Sequence, residues 1–89
     1  MQSYRSLERL VRGFSNHRRI EILFLLERGG AATVFGAAGR LKINFRTASE
    51  HLRRLHLAGL VQKRSRGAAV EHTITDRGRI ILKFLRTLE

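Results

Sequence analysis

Apolar residues recur at helical spacing through the first third of the chain. In the first segment they lie three or four positions apart behind Ser3, a suitable N-cap, so the pattern predicts an amphipathic helix that ends near Gly13. A second helix is predicted from a cap at Ser15 or Asn16 to Arg28, where two glycines stop it. The apolar positions of the two helices are Tyr4, Leu7, Leu10, Val11 and Phe14, then Ile20, Leu23, Phe24 and Leu26. Each stripe needs an apolar partner elsewhere in the fold.

The middle of the chain predicts two helices joined by a very short turn. Thr33 is the candidate N-cap of a short helix to about Leu41, and Asn44 caps the next helix after a turn of Lys42 and Ile43. Two helices separated by so short a turn must cross steeply. The second helix has an apolar face of Ala48, Leu52 and Leu55 opposite a polar face of Arg46, Ser49, Glu50 and Arg53. One face can join the core while the other stays free.

The last third of the chain predicts a basic β-hairpin followed by a helix. Ala58 and Gly59 end the fourth helix, and extended segments at 60–64 and 69–75 then flank a turn at 65–67. Asp76 is the predicted cap of the last helix. Its apolar positions are Ile80, Ile81, Phe84, Leu85 and Leu88. The predicted order is therefore ααααββα, a mainly helical fold with a small β-hairpin.

Length and composition fit one folded domain spanning residues 1–89. The chain is 43% hydrophobic and 28% charged, with no Pro-rich or low-complexity linker, which favours a globule over disorder. Cysteine is absent, so disulfides, thiolate metal sites and cysteine nucleophiles are excluded. The N-terminal segment has no apolar signal region, and no window reaches the roughly 20 apolar residues of a membrane span. We expect a cytoplasmic, nucleoid-associated protein with no membrane partner.

The charge balance adds a functional class to this outline. Eighteen Lys and Arg against seven acidic residues give a net charge of +11, which favours a polyanionic partner. A steep helix pair followed at once by a basic hairpin is typical of a winged helix-turn-helix. In that arrangement the helix at about 44–57 enters the major groove of double-stranded DNA, with its N-terminal residues nearest the base edges. The candidate contact residues on it are Phe45, Arg46, Ser49, Glu50 and Arg53.

Two of these candidates have alternative roles. Phe45 can either contact a thymine methyl group or fold under the helix against its neighbours, and we expect the second. Glu50 can accept a hydrogen bond from cytosine or form an ion pair with Arg46 or Arg54. Both alternatives for Glu50 remain open from the sequence.

The chain resembles the ArsR-type winged-helix regulators from Phe14 to Thr75. The segment FSNHRRIEIL is similar to the opening of the family's second helix, TVFGAAGRLKINFRTASEHLRRLHLAGLV to its helix-turn-helix, and RSRGAAVEHTIT to its wing. MarR-like regulators share much of this pattern, including ITDRGR before the last helix. The resemblance implies that Arg46, Thr47, Ser49 and Glu50 face DNA with Arg53 one turn further on, and that Arg64 and Arg66 flank a minor groove or phosphates.

The sequence also departs from the family pattern. Gly36 and Gly39 stand where polar helix formers are usual, and each costs about 1 kcal/mol of helix propensity relative to Ala. Lys42 replaces a small turn residue and Phe45 a polar one, and Glu71 and His72 replace wing tyrosines. The complete predicted DNA-binding set is Arg40, Phe45, Arg46, Thr47, Ser49, Glu50, Arg53, Arg54, Lys63, Arg64, Ser65 and Arg66, with the wing at about 60–75 on flanking backbone or minor groove.

The terminal helices predict a homodimer. They carry more apolar surface than so small a core can cover, and such stripes usually pair with their symmetry mates. The family resemblance implies the same pairing. The predicted dimer interface is Tyr4, Leu7, Leu10, Val11, Ile81, Phe84, Leu85 and Leu88.

Catalytic, metal and cofactor sites are not expected. Asp76 is the single aspartate and a predicted cap, and no phosphate-binding Gly-rich loop or paired-carboxylate spacing occurs. The four histidines are spread along the chain, without the i, i+4 spacing of two metal ligands on one helix.

The function predicted from the sequence is sequence-specific transcriptional regulation. A nucleoid protein that coats DNA without sequence preference, or an RNA-binding module, would use the same basic surface. A winged helix that serves mainly protein contacts in a larger complex is a third alternative.

Overall fold

The structure is a computed structural model and describes residues 3–89. Within that range the elements follow the predicted order ααααββα, with five helices and one antiparallel hairpin. Their bounds are α1 Tyr4–Phe14, α2 His17–Gly29, α3 Val34–Leu41, α4 Phe45–Leu57, β1 Val61–Arg66, β2 Ala69–Ile74 and α5 Asp76–Arg86. No helix in this range is long and apolar enough to cross a membrane.

Polar side chains cap the first four helices and fix where each begins. Ser3, Asn16, Thr33 and Asn44 are the caps, and each accepts a hydrogen bond from a free N–H of the first turn. Asn16, rather than Ser15, caps α2, with its Oδ1 atom 2.9 Å from the N–H nitrogen of Arg18. The short α3 ends at Lys42, whose φ of 56° reverses the chain into α4. Local sequence therefore sets the helix boundaries.

The prediction that Asp76 caps α5 was wrong. Thr75 is the cap, and Asp76 is the first helical residue, exposed to solvent. The Oγ1 atom of Thr75 accepts from the N–H of Gly78 at 3.1 Å and donates to the carbonyl of Gly59 at 2.7 Å. The second bond favours Thr75 over Asp76 as the cap, because it joins the start of α5 to the end of α4. An ionised carboxylate has no hydrogen to donate to that carbonyl.

The predicted hairpin turn at residues 65–67 was also wrong. Ser65 and Arg66 belong to β1, where they pair with Val70 and Ala69. The connection is a two-residue turn that begins with Gly67, whose φ of 61° suits glycine in a tight hairpin. The wing therefore extends two residues further than predicted, and Arg66 stands at its tip.

The core lies around α2 and the inner face of α4. Ile22, Leu23 and Leu26 of α2 are fully buried, as are Leu52 and Leu55 of α4. From α5 the fully buried residue is Leu82, which the predicted apolar stripe did not contain. The stripe instead has Ile81 and Leu85 at the edge of the core, with Ile80, Phe84 and Leu88 exposed.

His72 attaches the wing to the helical body. It is 3% exposed, and its Nδ1–H donates to the carbonyl of Ala32, 3.2 Å away, in the loop between α2 and α3. The backbones of Ala32 and His72 also form an isolated antiparallel bridge. Burial lowers the pKa of His72, and the nearby charge of Lys63 lowers it further, so the neutral ring is favoured. These bonds hold the base of the wing beside α3.

Two helical glycines differ in the space around them, and we expect opposite effects of alanine on stability. A Cβ atom on Gly78 would lie 2.6 Å from Cγ1 of Ile74 and would also collide with the carbonyl oxygen of Leu60, whereas one on Gly39 would meet nothing within 4 Å. Gly78→Ala should lower the free energy of unfolding by about 1–3 kcal/mol because of this overpacking. The control Gly39→Ala should raise it by about 1 kcal/mol through helix propensity. Urea unfolding of both variants checks this, and a stabilised Gly78→Ala variant would contradict the packing described here.

Candidate nucleic-acid interface

Helices α3 and α4 pack against each other, and both bury small side chains. Ala37 and Ala38 of α3 and Ala48 of α4 are buried, and the two helices are in contact. Small residues at such a crossing let the two backbones approach each other closely. The inner face of α4 continues from Ala48 to Leu52 and Leu55. This packing fixes which face of α4 is left outside.

The N-terminal part of α4 exposes its side chains. Phe45, Arg46 and Thr47 are exposed, and Ser49 is half-buried. Arg46 has no ion-pair partner within residues 3–89. The free N–H groups of the first turn also give this end a partial positive charge, which favours an anion. The exposed start of α4 therefore combines hydrogen-bond donors, an apolar ring and positive potential.

The expectation that Phe45 folds under α4 was wrong. Its side chain is 57% exposed. The buried face of α4 begins at Ala48, one turn later, so the ring at the first helical position extends beyond the core. A second exposed ring, Phe35 on α3, was not among the predicted contact residues.

Glu50 forms an ion-pair cluster with the two arginines that follow it. Its Oε2 accepts from Nε of Arg53 at 3.0 Å, and its Oε1 accepts from Arg53 at 2.8 Å and from Nε of Arg54 at 3.1 Å. Hydrogen bonds from Arg53 and then Arg54 lower the pKa of Glu50 to about 2, so it is a carboxylate at any physiological pH. Of the two ion-pair partners considered from the sequence, Arg54 is present and Arg46 is not.

The wing presents basic residues along β1. Lys63, Arg64, Ser65 and Arg66 are all exposed, and the alternation of a strand puts Arg64 and Arg66 on one face with Lys63 and Ser65 on the other. Arg64 and Arg66 share the carboxylate of Glu71 at 3.5 and 3.6 Å. Both ion pairs are exposed on the arginine side, so they are weak and exchangeable.

Arg40 stands apart from the other predicted contact residues. It is exposed near the end of α3, and its guanidinium lies beside Gly29 at the end of α2. It lines a shallow groove with Phe24 and Arg28 of α2. The structure therefore brings together the α4 residues and, separately, the wing residues, but it places Arg40 at a third location.

The terminal helices expose only part of their predicted stripe. Tyr4, Leu7 and Val11 of α1 are exposed, as are Phe84 and the following Leu88. The other three predicted interface residues, Leu10, Ile81 and Leu85, are half-buried against the core of their own chain. Ile80, which was not in the predicted interface, is also exposed.

Among residues 3–89, no group of three or more His, Asp or Glu side chains could hold a metal ion.

The fold and its exposed basic elements define the class of DNA-binding transcriptional regulators with a winged helix-turn-helix, and this class is not enzymatic. Residues 16–63 match the model of the arsR family of bacterial regulatory proteins. The chain belongs to that family, which confirms the resemblance found in the sequence. No curated protein matches the chain in sequence.

Solved structures give the same fold. The homodimeric winged helix-turn-helix DNA-binding domain of Mb0332 from Mycobacterium bovis has a TM-score of 0.85 and 27% identity, and the match covers 99% of this chain and 87% of that one. HlyU from Vibrio cholerae has a TM-score of 0.78 and 26% identity, over 93% and 87% of the two chains. The antimony-specific transcriptional repressor AntR, at 22% identity and a TM-score of 0.73 over 89% and 72%, shares the fold.

Removing the charge of Glu50 should strengthen binding to any duplex. Glu50→Gln removes a carboxylate next to the exposed face and releases Arg53 and Arg54, so the salt slope should rise in magnitude by up to about 0.9, one further phosphate contact. Fluorescence anisotropy on two unrelated duplexes across a salt series measures this. The matched control is Glu8→Gln, because Glu8 is an exposed carboxylate paired with Arg12 on α1. Weaker binding to one duplex only would mean that Glu50 reads a cytosine instead.

Proposed function

We propose that this protein is a sequence-specific transcriptional regulator that places α4 in the major groove of double-stranded DNA. The observation that carries the proposal is the one-sided burial of α4, which leaves Phe45, Arg46 and Thr47 exposed at its N-terminal end. The major groove is about 12 Å wide and admits one helix, whose N-terminal residues approach the base edges. The protein acts in the cytoplasm, on the nucleoid.

The chemistry of the exposed α4 residues suits base recognition. Arg46 is free of acidic partners within residues 3–89, and its planar guanidinium matches the O6 and N7 acceptors of guanine. The exposed ring of Phe45 suits a thymine methyl group. Ser49 is small and half-buried, so it allows the helix to come close to the groove floor. Arg53 and Arg54 contact phosphates after exchange with Glu50.

The wing contacts the DNA that flanks the major-groove site. Arg64 and Arg66 lie on one face of β1, and their weak pairing with Glu71 can be exchanged for phosphate oxygens or a narrow minor groove. Lys63 and Ser65 face the other side of the strand and are available to phosphates there. Arg40, on α3, contacts a phosphate at the edge of the site.

A homodimer presents two copies of α4 to two half-sites. The exposed apolar residues of α1 and α5 support this assembly, and the Mycobacterium bovis relative is described as homodimeric. The proposed interface is the set predicted from the sequence, Tyr4, Leu7, Leu10, Val11, Ile81, Phe84, Leu85 and Leu88. Leu10, Ile81 and Leu85 contribute their outer edges only.

A second candidate function is coating of DNA without sequence preference. The net charge of +11 is the observation that favours it, because basic residues occur on every helix as well as on the wing. Sequence-independent binding of this kind depends on phosphate contacts alone.

The substitutions Arg46→Ala and Arg66→Ala should change DNA binding in two different ways. If Arg46 contacts guanine, its loss should cost about 1–3 kcal/mol of binding free energy and relax preference at one position of the site. Losing Arg66 should weaken binding to all sequences alike and reduce the salt slope by about one phosphate contact. Affinities on a selected site and on scrambled DNA, across a salt series, measure both effects. Equal behaviour of the two variants, with no change in sequence preference, would favour the coating function.

Sedimentation should show a dimer that depends on α5. Phe84→Asp puts a charge into the proposed interface and should shift the protein to monomer at tens of micromolar, a concentration at which a dimer with a dissociation constant of about 1 μM is still mostly intact. The matched control is Phe35→Asp on α3, because Phe35 is an exposed ring outside that interface. It should leave the dimer intact. A monomeric wild-type protein would refute the homodimer.

A further inference from the structure

A groove outside the proposed DNA-binding face lies where α1, α4 and α5 meet. It has a volume of about 400 Å3 and is bounded by α1 from Ser6 onward, the end of α4 and the start of α5. The backbones of α1 and α4 approach closely beside it, because a Cβ atom on Gly13 would collide with the side chain of Ala58. The groove is therefore shaped by packed helices, and its volume lies in the range of small-molecule sites.

Four arginines line this groove. They are Arg9, Arg12, Arg54 and Arg77, and no acidic residue lines it with them. Arg12 pairs with Glu8 at 3.4 Å, and Arg54 pairs with Glu50 at 3.1 Å. Arg9 and Arg77 have no ion-pair partner in the part of the chain that the structure describes. The groove therefore has two guanidinium groups available for an anion.

Apart from Ser6, the residues that complete the lining have no polar side chain. Leu57, the last residue of α4, is 68% exposed and contributes to the wall together with Ala58 and the half-buried Leu10 of α1, whose outer edge also belongs to the proposed dimer interface. An exposed leucine among arginines suits a ligand that has both an anionic group and an apolar body. Inorganic phosphate would satisfy only the arginines, and a neutral hydrocarbon would satisfy only the leucines.

We propose that this groove binds a carboxylate that carries an apolar tail, and that the bound ligand weakens DNA binding through Arg54. The second half of this proposal rests on the proposed function. Arg54 belongs to both places, because it lines the groove while it holds Glu50 on α4. A ligand carboxylate that attracts Arg54 leaves Glu50 neutralised by Arg53 alone and adds a negative charge beside α4. By linkage, DNA must weaken binding of the ligand by the same factor.

Octanoate is a suitable probe for the groove. Titration into the 15N-labelled full-length protein should give saturable amide shifts centred on Gly13 and Ala58, with one octanoate per protomer. Octylammonium has the same tail with the opposite charge, and acetate has the charge without the tail. Octanoate should bind at least about tenfold more tightly than either compound. Octylammonium lacks the charge-assisted contact with the arginines, and acetate lacks the buried tail. Equal binding of octylammonium, or shifts scattered over the chain, would overturn the proposal.

Paired charge variants test the location. Arg9→Gln combined with Arg77→Gln should weaken octanoate binding by about tenfold, because it removes both available guanidinium groups. The matched control is Arg5→Gln combined with Arg79→Gln, which makes the same charge change on the same two helices outside the groove. The control should bind octanoate as the wild type does, and circular dichroism should show that both variants are folded. Equal loss in both variants would mean that octanoate responds to net charge alone.

DNA binding with and without octanoate tests the coupling. Saturating octanoate should raise the dissociation constant for DNA severalfold in the wild type and not in the Arg9, Arg77 variant. Without octanoate the two double variants should bind DNA equally well. A selective loss of DNA binding in the Arg9, Arg77 variant would mean that the groove holds a DNA phosphate instead.

If the wild type binds no DNA while octanoate still saturates the groove, the proposed function fails and the ligand site stands. If octanoate saturates and DNA affinity is unchanged, the coupling is refuted.

Discussion

The rest of the structure depends on the packing of one face of α4 into the core. Ala48, Leu52 and Leu55 are buried against α2 and α3, and each fully buried leucine contributes on the order of 2 kcal/mol to folding. Rotating α4 about its axis to bury another face would expose these residues and bring arginines into the core. The hydrophobic effect therefore determines which α4 residues are free, and the position of the wing follows through His72 and Thr75, which attach it to the helical body.

Electrostatics act on this fixed arrangement. Like charges on so basic a chain repel one another, and the acidic residues lie where they relieve that repulsion. Glu50 neutralises Arg53 and Arg54 on α4, and Glu71 holds Arg64 and Arg66 on the wing. Each carboxylate keeps neighbouring arginines ordered on an exposed surface in the absence of DNA. In the proposed complex, DNA phosphates take the place of these carboxylates, and Arg54 also connects this surface to the groove beside α1.

Local patterns predicted most of the fold. Helix caps such as Asn44 and the spacing of Ala48, Leu52 and Leu55 are properties of short segments, and the structure has them where they were expected. The predicted stripe of α2 was only partly right, because Ile22, which it omitted, is fully buried. The predicted order of the elements and the family resemblance were also confirmed, because both depend on such local patterns. The exposed polar face of α4 also followed directly from the periodicity.

Features that depend on contacts distant in sequence were not predictable. Thr75 and Asp76 are both good caps, and the carbonyl of Gly59, brought near by the fold, decides between them. The side chain of Leu82 enters the core because of how α5 packs, although Leu82 lies outside the predicted apolar stripe. Exposure of Phe45 depends on where the α3–α4 contact begins. The arginines around the groove come from three helices, so no sequence window contains them.

If the face of α4 left outside the core reads DNA sequence, footprinting on genomic fragments at physiological salt should show protection of discrete sites. Each site should contain two half-sites about one helical turn apart, and the DNA between sites should be unprotected. Uniform protection along every fragment, without a preferred site at any protein concentration, would contradict sequence recognition by α4.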